Sequence, residues 1–304
     1  MLRNEDNNEE VYLSLRKLSI ISGFKFNNIA KNLYREKFGK LSSINSSPKL
    51  KSLDKLGYHV VPTCELSYQF SIDFLKKLSS LSITREIDGK TGDLNVLKNE
   101  SITDGYRYFY EEKDLPIRDL ILMLEQVGVL DIINEYLGNP ILRNVQCWHS
   151  CVPETNTTEG NIKAAQMFHN DNDLPLGWIK IFIYLTEVNA KDGPHVYVPE
   201  SHRIVKDGFN RDGRFTDEEV IAAYGMPKII TGPIGTIIIG DTQCLHKGQE
   251  PTDGERTVLQ LEFCNSLLGA ETIPLPNPDI KIAELNLMSF RFLRRYLRDE
   301  SKQL

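Results

Sequence analysis

The 304 residues are 40% hydrophobic, enough to bury a full-sized core in one elaborated domain. Thirty-six basic against 42 acidic residues give a formal charge of −6. That excludes the strong positive field a nucleic-acid or anionic-membrane partner would call for, and favours a small-molecule partner. The opening MLRNEDNNEE has neither the basic nor the apolar stretch of a signal peptide, and no apolar run is long enough to span a bilayer, so a soluble, cytoplasmic protein is expected. Cys64, Cys147, Cys151, Cys244 and Cys264 are an odd, scattered set without CxxC spacing, which suits reduced core thiols better than a disulfide framework. The Asn-x-Ser/Thr triplets at Asn45, Asn99 and Asn156 are read as chance matches.

In chain order, residues 11–38 carry apolar side chains at three- and four-residue steps, predicting one or two amphipathic helices. LSSINSSPKLKS (residues 41–52) reads as a linker, so residues 1–55 form a helical extension and linker. LGYHVVP (56–62) is β-rich, and residues 116–138 are strongly helical with Gly138 as the stop. After Asn139-Pro140 the texture changes to short β-like runs: LRNVQCWHSCV, WIKIFIYLTEV, HVYVP, KIITG, GTIIIGD, CLHKG and RTVLQLEFC. Gly, Pro, Asn and Asp separate them without intervening helices. That pattern predicts an antiparallel sandwich, jelly roll or barrel, with residues 56–268 as its domain. Residues 282–302, within a tail of 269–304, return to helical spacing; this helix would cover a sheet edge or pair two subunits as a homodimer.

His169 and Asp171 stand two apart in Phe168-His169-Asn170-Asp171, so on a strand both side chains leave one face and can share an ion. His246, just past the strand-and-turn GTIIIGD, qualifies as the third ligand. Two histidines and one carboxylate on one face of an octahedron are the set associated with non-haem Fe(II), with three adjacent positions open for co-substrates. Between His246 and Arg256 lie Pro251, Asp253 and Gly254, so a hairpin is expected to turn there and set Arg256 opposite His246 on the same face. A guanidinium beside such a site would grip a carboxylate through paired, charge-assisted hydrogen bonds.

HND at 169–171, KIFIYLTEVNAKDGPHVYVPESHR, Gly240-Asp241, His246 and Arg256 together resemble the phytanoyl-CoA dioxygenase family of Fe(II)/2-oxoglutarate enzymes, over roughly residues 56–263. The resemblance implies a mainly β fold with flanking helices, the double-stranded β-helix (a cupin-like jelly roll of two facing sheets). It further implies His169, Asp171 and His246 as iron ligands, Arg256 on the distal carboxylate of 2-oxoglutarate, O2 as oxidant, and a dioxygenase that hydroxylates a small metabolite with release of succinate and CO2. Related halogenases lack the carboxylate ligand, so Asp171 argues against halogenation; desaturation and epimerisation stay open. Two positions depart from the family pattern: Gly248 stands where a Ser or Thr often assists that carboxylate, and Glu200 replaces the usual Gly in Pro-x-Ser-His.

Gln146, Trp148 and Gln166 are candidates to touch 2-oxoglutarate or line the pocket, while Asn170, Asn172, Asp173 and His195 are candidates to address substrate. His202 and Arg203 are read as fold-stabilising, and His59 and His149, without partners at metal spacing, as structural. Two competing readings remain: a non-redox cupin-like metal-dependent isomerase or lyase, which would not need Arg256, and a non-catalytic binding protein on the same fold.

Overall fold

A computed structural model of the chain describes residues 48–86, 89–98, 107–137, 140–152, 166–171, 178–209 and 213–264. The helices expected over 11–38 and 282–302 lie outside these residues, as do Asn172 and Asp173. The expected linker, by contrast, gives way at its end to a helix, α1 (Pro48–Leu56).

Eleven strands are named among the described residues: β1 (Tyr58–Val61), β2 (Ile83–Arg85), β3 (Thr91–Gly92), β4 (Arg107–Tyr110), β5 (Ile141–Cys151), β6 (Trp178–Tyr184), β7 (His195–Tyr197), β8 (Lys228–Ile230), β9 (Ile237–Asp241), β10 (His246–Gly248) and β11 (Glu255–Cys264). They form an eight-stranded sheet in the order β1-β9-β6-β11-β5-β4-β2-β3 and a three-stranded sheet β10-β7-β8. Every strand pairing is antiparallel. The fold is the expected mainly β, jelly-roll arrangement of two packed sheets.

Period-two alternation gives each long strand two different faces. On β6, Ile179, Ile181 and Ile183 join Val145 and Cys147 of β5 and Leu259, Leu261 and Phe263 of β11 in a core shared with the helices. Those helices include α2 (Glu65–Leu78) and, after the short α3 (Leu94–Lys98), α4 (Ile117–Gln126) and α5 (Val129–Leu137). From the other face, Trp148, Phe182, Tyr184 and Val258 meet Tyr197 of β7 and Ile230 of β8 between the two sheets. Beyond the small sheet, α6 (Asp217–Tyr224) supplies Val220 to a third cluster with Val196, Val198 and Leu245. No helix among the described residues is long and apolar enough to cross a membrane.

Three local differences from the sequence reading have plain causes. The helix expected to run unbroken to Gly138 is two helices, because Gly128 adopts φ +75° and the chain turns there. A helix does intervene among the later strands: α6 starts at a capping box in which Thr216 and Glu219 hydrogen-bond reciprocally, a signature present in the sequence. The cysteines are free, but only Cys147, Cys244 and Cys264 are buried; Cys151 is half-buried and Cys64 is exposed where α2 begins.

Glu200 is the one non-glycine residue with positive φ among the described residues, at 68°. The chain therefore makes a left-handed turn with a residue that carries a side chain, at a steric cost of about 1–2 kcal/mol. Ser201 and His202 beyond it are buried, and His202 Nε2 hydrogen-bonds the Asp54 carbonyl at 2.9 Å, which anchors α1 as a fold-stabilising contact. Arg203 is exposed. Glu200→Gly is expected to stabilise the protein by about 1 kcal/mol, the left-handed strain outweighing the added chain entropy; urea denaturation measures it, and an unchanged or lower midpoint would contradict the assignment of strain.

Candidate metal centre and its cavity

Residues 166–171 run along the free side of β10. Phe168 bridges Phe215 and His169 bridges His246, the latter through two reciprocal backbone hydrogen bonds of 3.0 Å. The imidazoles of a directly opposed antiparallel pair share a face, and here their centroids are 4.6 Å apart. The segment is pinned further along: Asp171 N donates to the Thr242 carbonyl at 3.0 Å, and the Asn170 amide donates to the Gln243 carbonyl. This brings Asp171 against both rings, with Oδ1 3.2 Å from His169 Nε2 and Oδ2 3.3 Å from His246 Nε2. All three ligand atoms lie within 4.8 Å of one another.

The tautomers are set as well. Nδ1 of His169 lies 2.8 Å from the Met167 carbonyl, and Nδ1 of His246 lies 2.8 Å from the Cys244 carbonyl. A carbonyl only accepts, so each Nδ1 carries a proton, and Nε2, the ring nitrogen that faces Asp171, is the one a metal would take. Tyr197 stacks on His246 with its centroid 5.5 Å away. It can stand there because Gly240 lies beneath it: a Cβ at that position would fall 2.0 Å from the Tyr197 hydroxyl oxygen.

The triad opens into a cavity of about 190 Å³ between the sheets. Arg256 lines it, but not by the expected route. β10 and β11 are not a hairpin pair: β10 belongs to the small sheet and pairs with β7, whereas β11 lies between β5 and β6 in the large one, with Arg256 opposite Ser150. Arg256 reaches the triad because the two sheets face each other. Its guanidinium lies near enough to the Tyr184 hydroxyl to help lower that group's pKa against the effect of burial; the hydroxyl donates to the Ile230 carbonyl at 2.8 Å and accepts from His195 N at 3.0 Å. A Cβ on Gly248 would come within 3.3 Å of Arg256 Nη2.

Of the remaining candidates, Gln146, Trp148 and His195 line the cavity, and Gln166 and Asn170 are not among its lining residues. Gln146 accepts from Gln260 Nε2 at 3.2 Å, leaving its own NH2 group for another acceptor. The indole N–H of Trp148 is buried without a hydrogen-bond partner. His149 packs away from the cavity, its Nδ1 3.1 Å from Thr257 Oγ1, and His59 is half-buried on β1 outside the cavity lining. Sequence reasoning missed Lys180, Phe182 and Tyr184. Their signal was a lysine at an even position of β6, between isoleucines at 179 and 181, facing the same way as Phe182.

Charge is finely placed here. Burial pushes the Asp171 carboxyl up, but Lys180, with Nζ 2.6 Å from Oδ2, and the two histidines outweigh it and hold it well below the usual carboxylate range. Burial pulls Lys180 down, and Asp171 with Glu262 lifts it above the usual lysine value. His169 is lowered chiefly by burial. Burial, then Arg256, His246 and Lys180, hold His195 well below 6.5, so it is neutral near pH 7.

A scan against protein-family models and a search of curated proteins find no match. Among solved structures 278 chains match. The non-haem α-ketoglutarate-dependent epimerase SnoN from nogalamycin biosynthesis is 14% identical, over 71% of this chain and 81% of that one, with a TM-score of 0.49. The α-ketoglutarate-dependent carbocyclase SnoK of the same biosynthesis is 18% identical, over 72% and 83%, with a TM-score of 0.48. EctD from S. alaskensis, solved with 2-oxoglutarate and 5-hydroxyectoine, is 16% identical, over 74% and 78%, with a TM-score of 0.48. Likenesses this distant carry no argument about the site, whose assignment rests on its own geometry.

The lowered histidines make acid sensitivity a direct expectation. Between their folded values and 6.5 the unfolded chain binds more protons than the folded one, so their contribution to stability is complete above about pH 6.5 and is lost as the pH falls. Urea denaturation of the metal-free protein from about pH 8 down to about pH 5 should show that fall, shallower in His195→Phe. An equal slope in the variant would contradict the placement of His195.

Proposed function

We propose that this chain is an Fe(II)- and 2-oxoglutarate-dependent oxygenase of the phytanoyl-CoA dioxygenase kind, which hydroxylates an unactivated C–H bond of a small metabolite. The observation that carries the reading is the convergence of two imidazole nitrogens and one carboxylate at the wall of a cavity that Arg256 also lines. The donor set fits the metal: borderline imidazoles with one hard oxygen, all on one side, are what non-haem Fe(II) takes while keeping open positions. His169, Asp171 and His246 would hold the ion. Iron with 2-oxoglutarate and O2 supplies the oxidising power when bound, with succinate and CO2 as co-products.

The chain's own residues position and enclose. Arg256, 4% exposed and close to the Tyr184 hydroxyl, offers a planar fork to the distal carboxylate of the co-substrate, with charge-assisted bonds worth about 1.5–3 kcal/mol each. Neutral His195 leaves that fork without a competing cation in the ring tilted against Phe182, 3.9 Å between centroids. Trp148 and Gln146 present an indole N–H and an amide NH2 in the cavity wall, both suited to acceptor oxygens of the bound molecules. Phe182 and Trp148 supply apolar surface that excludes water from the reacting carbon.

Adding 2-oxoglutarate without O2 to the Fe(II)-loaded protein is expected to produce a visible metal-to-ligand charge-transfer band. His169→Ala and Asp171→Ala should lose the band and all succinate formation in a metabolite screen. Arg256→Ala should keep the metal but weaken 2-oxoglutarate by about 10- to 100-fold, roughly the loss of one charge-assisted bond. No band in the wild type would sink the proposal and favour a non-redox metal enzyme.

A further inference from the structure

Long charged side chains seldom turn inward unless something pairs with them, and Lys180 turns into the cavity from the middle of β6. Its Nζ is 2.6 Å from Asp171 Oδ2 and 3.8 Å from Glu262 Oε2. Glu262 is itself paired with Arg143, whose guanidinium lies over the Trp178 ring at 4.3 Å. The ammonium is thus fixed from behind by an anchored anion, and its short contact is made to one oxygen of the carboxylate in the triad. The other oxygen, Oδ1, faces His169 Nε2 at 3.2 Å, while Oδ2 also lies 3.3 Å from His246 Nε2, beyond its shorter contact with Lys180.

Resting on the iron-site reading above, we propose that Lys180 is a positioning residue that claims Oδ2 of Asp171, so that the carboxylate gives the metal one oxygen and not two. The consequence is a count of open positions. Two imidazoles and one oxygen leave three of six octahedral places, enough for a chelating co-substrate and O2. A carboxylate binding through both oxygens leaves only two. Salt-bridging Oδ2 to a cation that Glu262 holds in place makes the two-oxygen mode unfavourable, because it would strip Lys180 of its closest partner in a largely buried setting. Lys180 needs no contact with substrate to do this.

Co(II) tests the inference, because its visible absorption reports the number of ligands without turnover. Wild type and Lys180→Met, nearly isosteric but uncharged, are loaded with Co(II) and then titrated with 2-oxoglutarate in the absence of O2. Both are expected to bind Co(II). The variant should show an altered spectrum before any co-substrate is added, and a dissociation constant for 2-oxoglutarate raised by about tenfold or more, the scale on which outer-shell partners of metal ligands act. An unchanged Co(II) spectrum overturns the proposal, even if 2-oxoglutarate binds less well, since that would put Lys180 on the co-substrate instead of Asp171. Loss of Co(II) by a folded variant overturns it too. Infrared difference spectra of the wild type with and without Co(II) give a reading that needs no variant: the separation of the antisymmetric and symmetric carboxylate stretches tells one-oxygen from two-oxygen binding, and the latter overturns the proposal. Failure of the wild type to bind Co(II) at all would remove the metal centre itself, a separate outcome seen before any variant is made.

Discussion

The reciprocal backbone hydrogen bonds between His169 and His246 make a single centre out of two distant parts of the chain. An antiparallel pair of this kind leaves little freedom: two side chains on one face, at one separation, with ring orientations then fixed by the carbonyls of Met167 and Cys244. Asp171 follows because the same segment continues into further backbone bonding, at Thr242 and Gln243. The three candidate ligands are therefore held by main-chain geometry, as a metal site with open positions would require.

The two-sheet architecture adds what the small sheet lacks. Lys180, Phe182, Tyr184, Gln260 and Arg256 all come from the inner face of the large sheet, whose outer face is apolar and packed by helices. One strand thus serves both purposes by alternation: the isoleucines of β6 stabilise the fold while the residues between them furnish the cavity. The inner face carries cations and amide donors towards a wall whose carboxylate, Asp171, is already engaged with Lys180 and the histidines. Acceptor-rich, anionic molecules such as a dicarboxylate complement that surface.

Two positions depart from the pattern of the family the sequence resembles. At Gly248 the absence of a side chain leaves Arg256 Nη2 close to the backbone, where a Cβ would come within 3.3 Å. At Glu200 the backbone makes a left-handed turn, and Ser201 and His202 land where they bond Val198 and Asp54. A local cost is tolerated there because the turn is over-determined by its surroundings.

The linear pattern by itself determined much about this protein. Alternating short strands with turn residues between them specify an antiparallel, two-faced β fold, because side-chain period and backbone pleat are properties of a few consecutive residues. The His-x-Asp spacing, the distal histidine and the arginine after it were legible for the same reason. What only the tertiary structure decided is which sheet each strand joins. The hairpin expected between His246 and Arg256 does not exist, since β10 and β11 part into different sheets, and Arg256 meets the site across the sandwich. Lys180 and Tyr184 were invisible as site residues because their roles depend on what lies opposite them, and long-range pairing is set by the burial of whole faces, not by the letters flanking a residue.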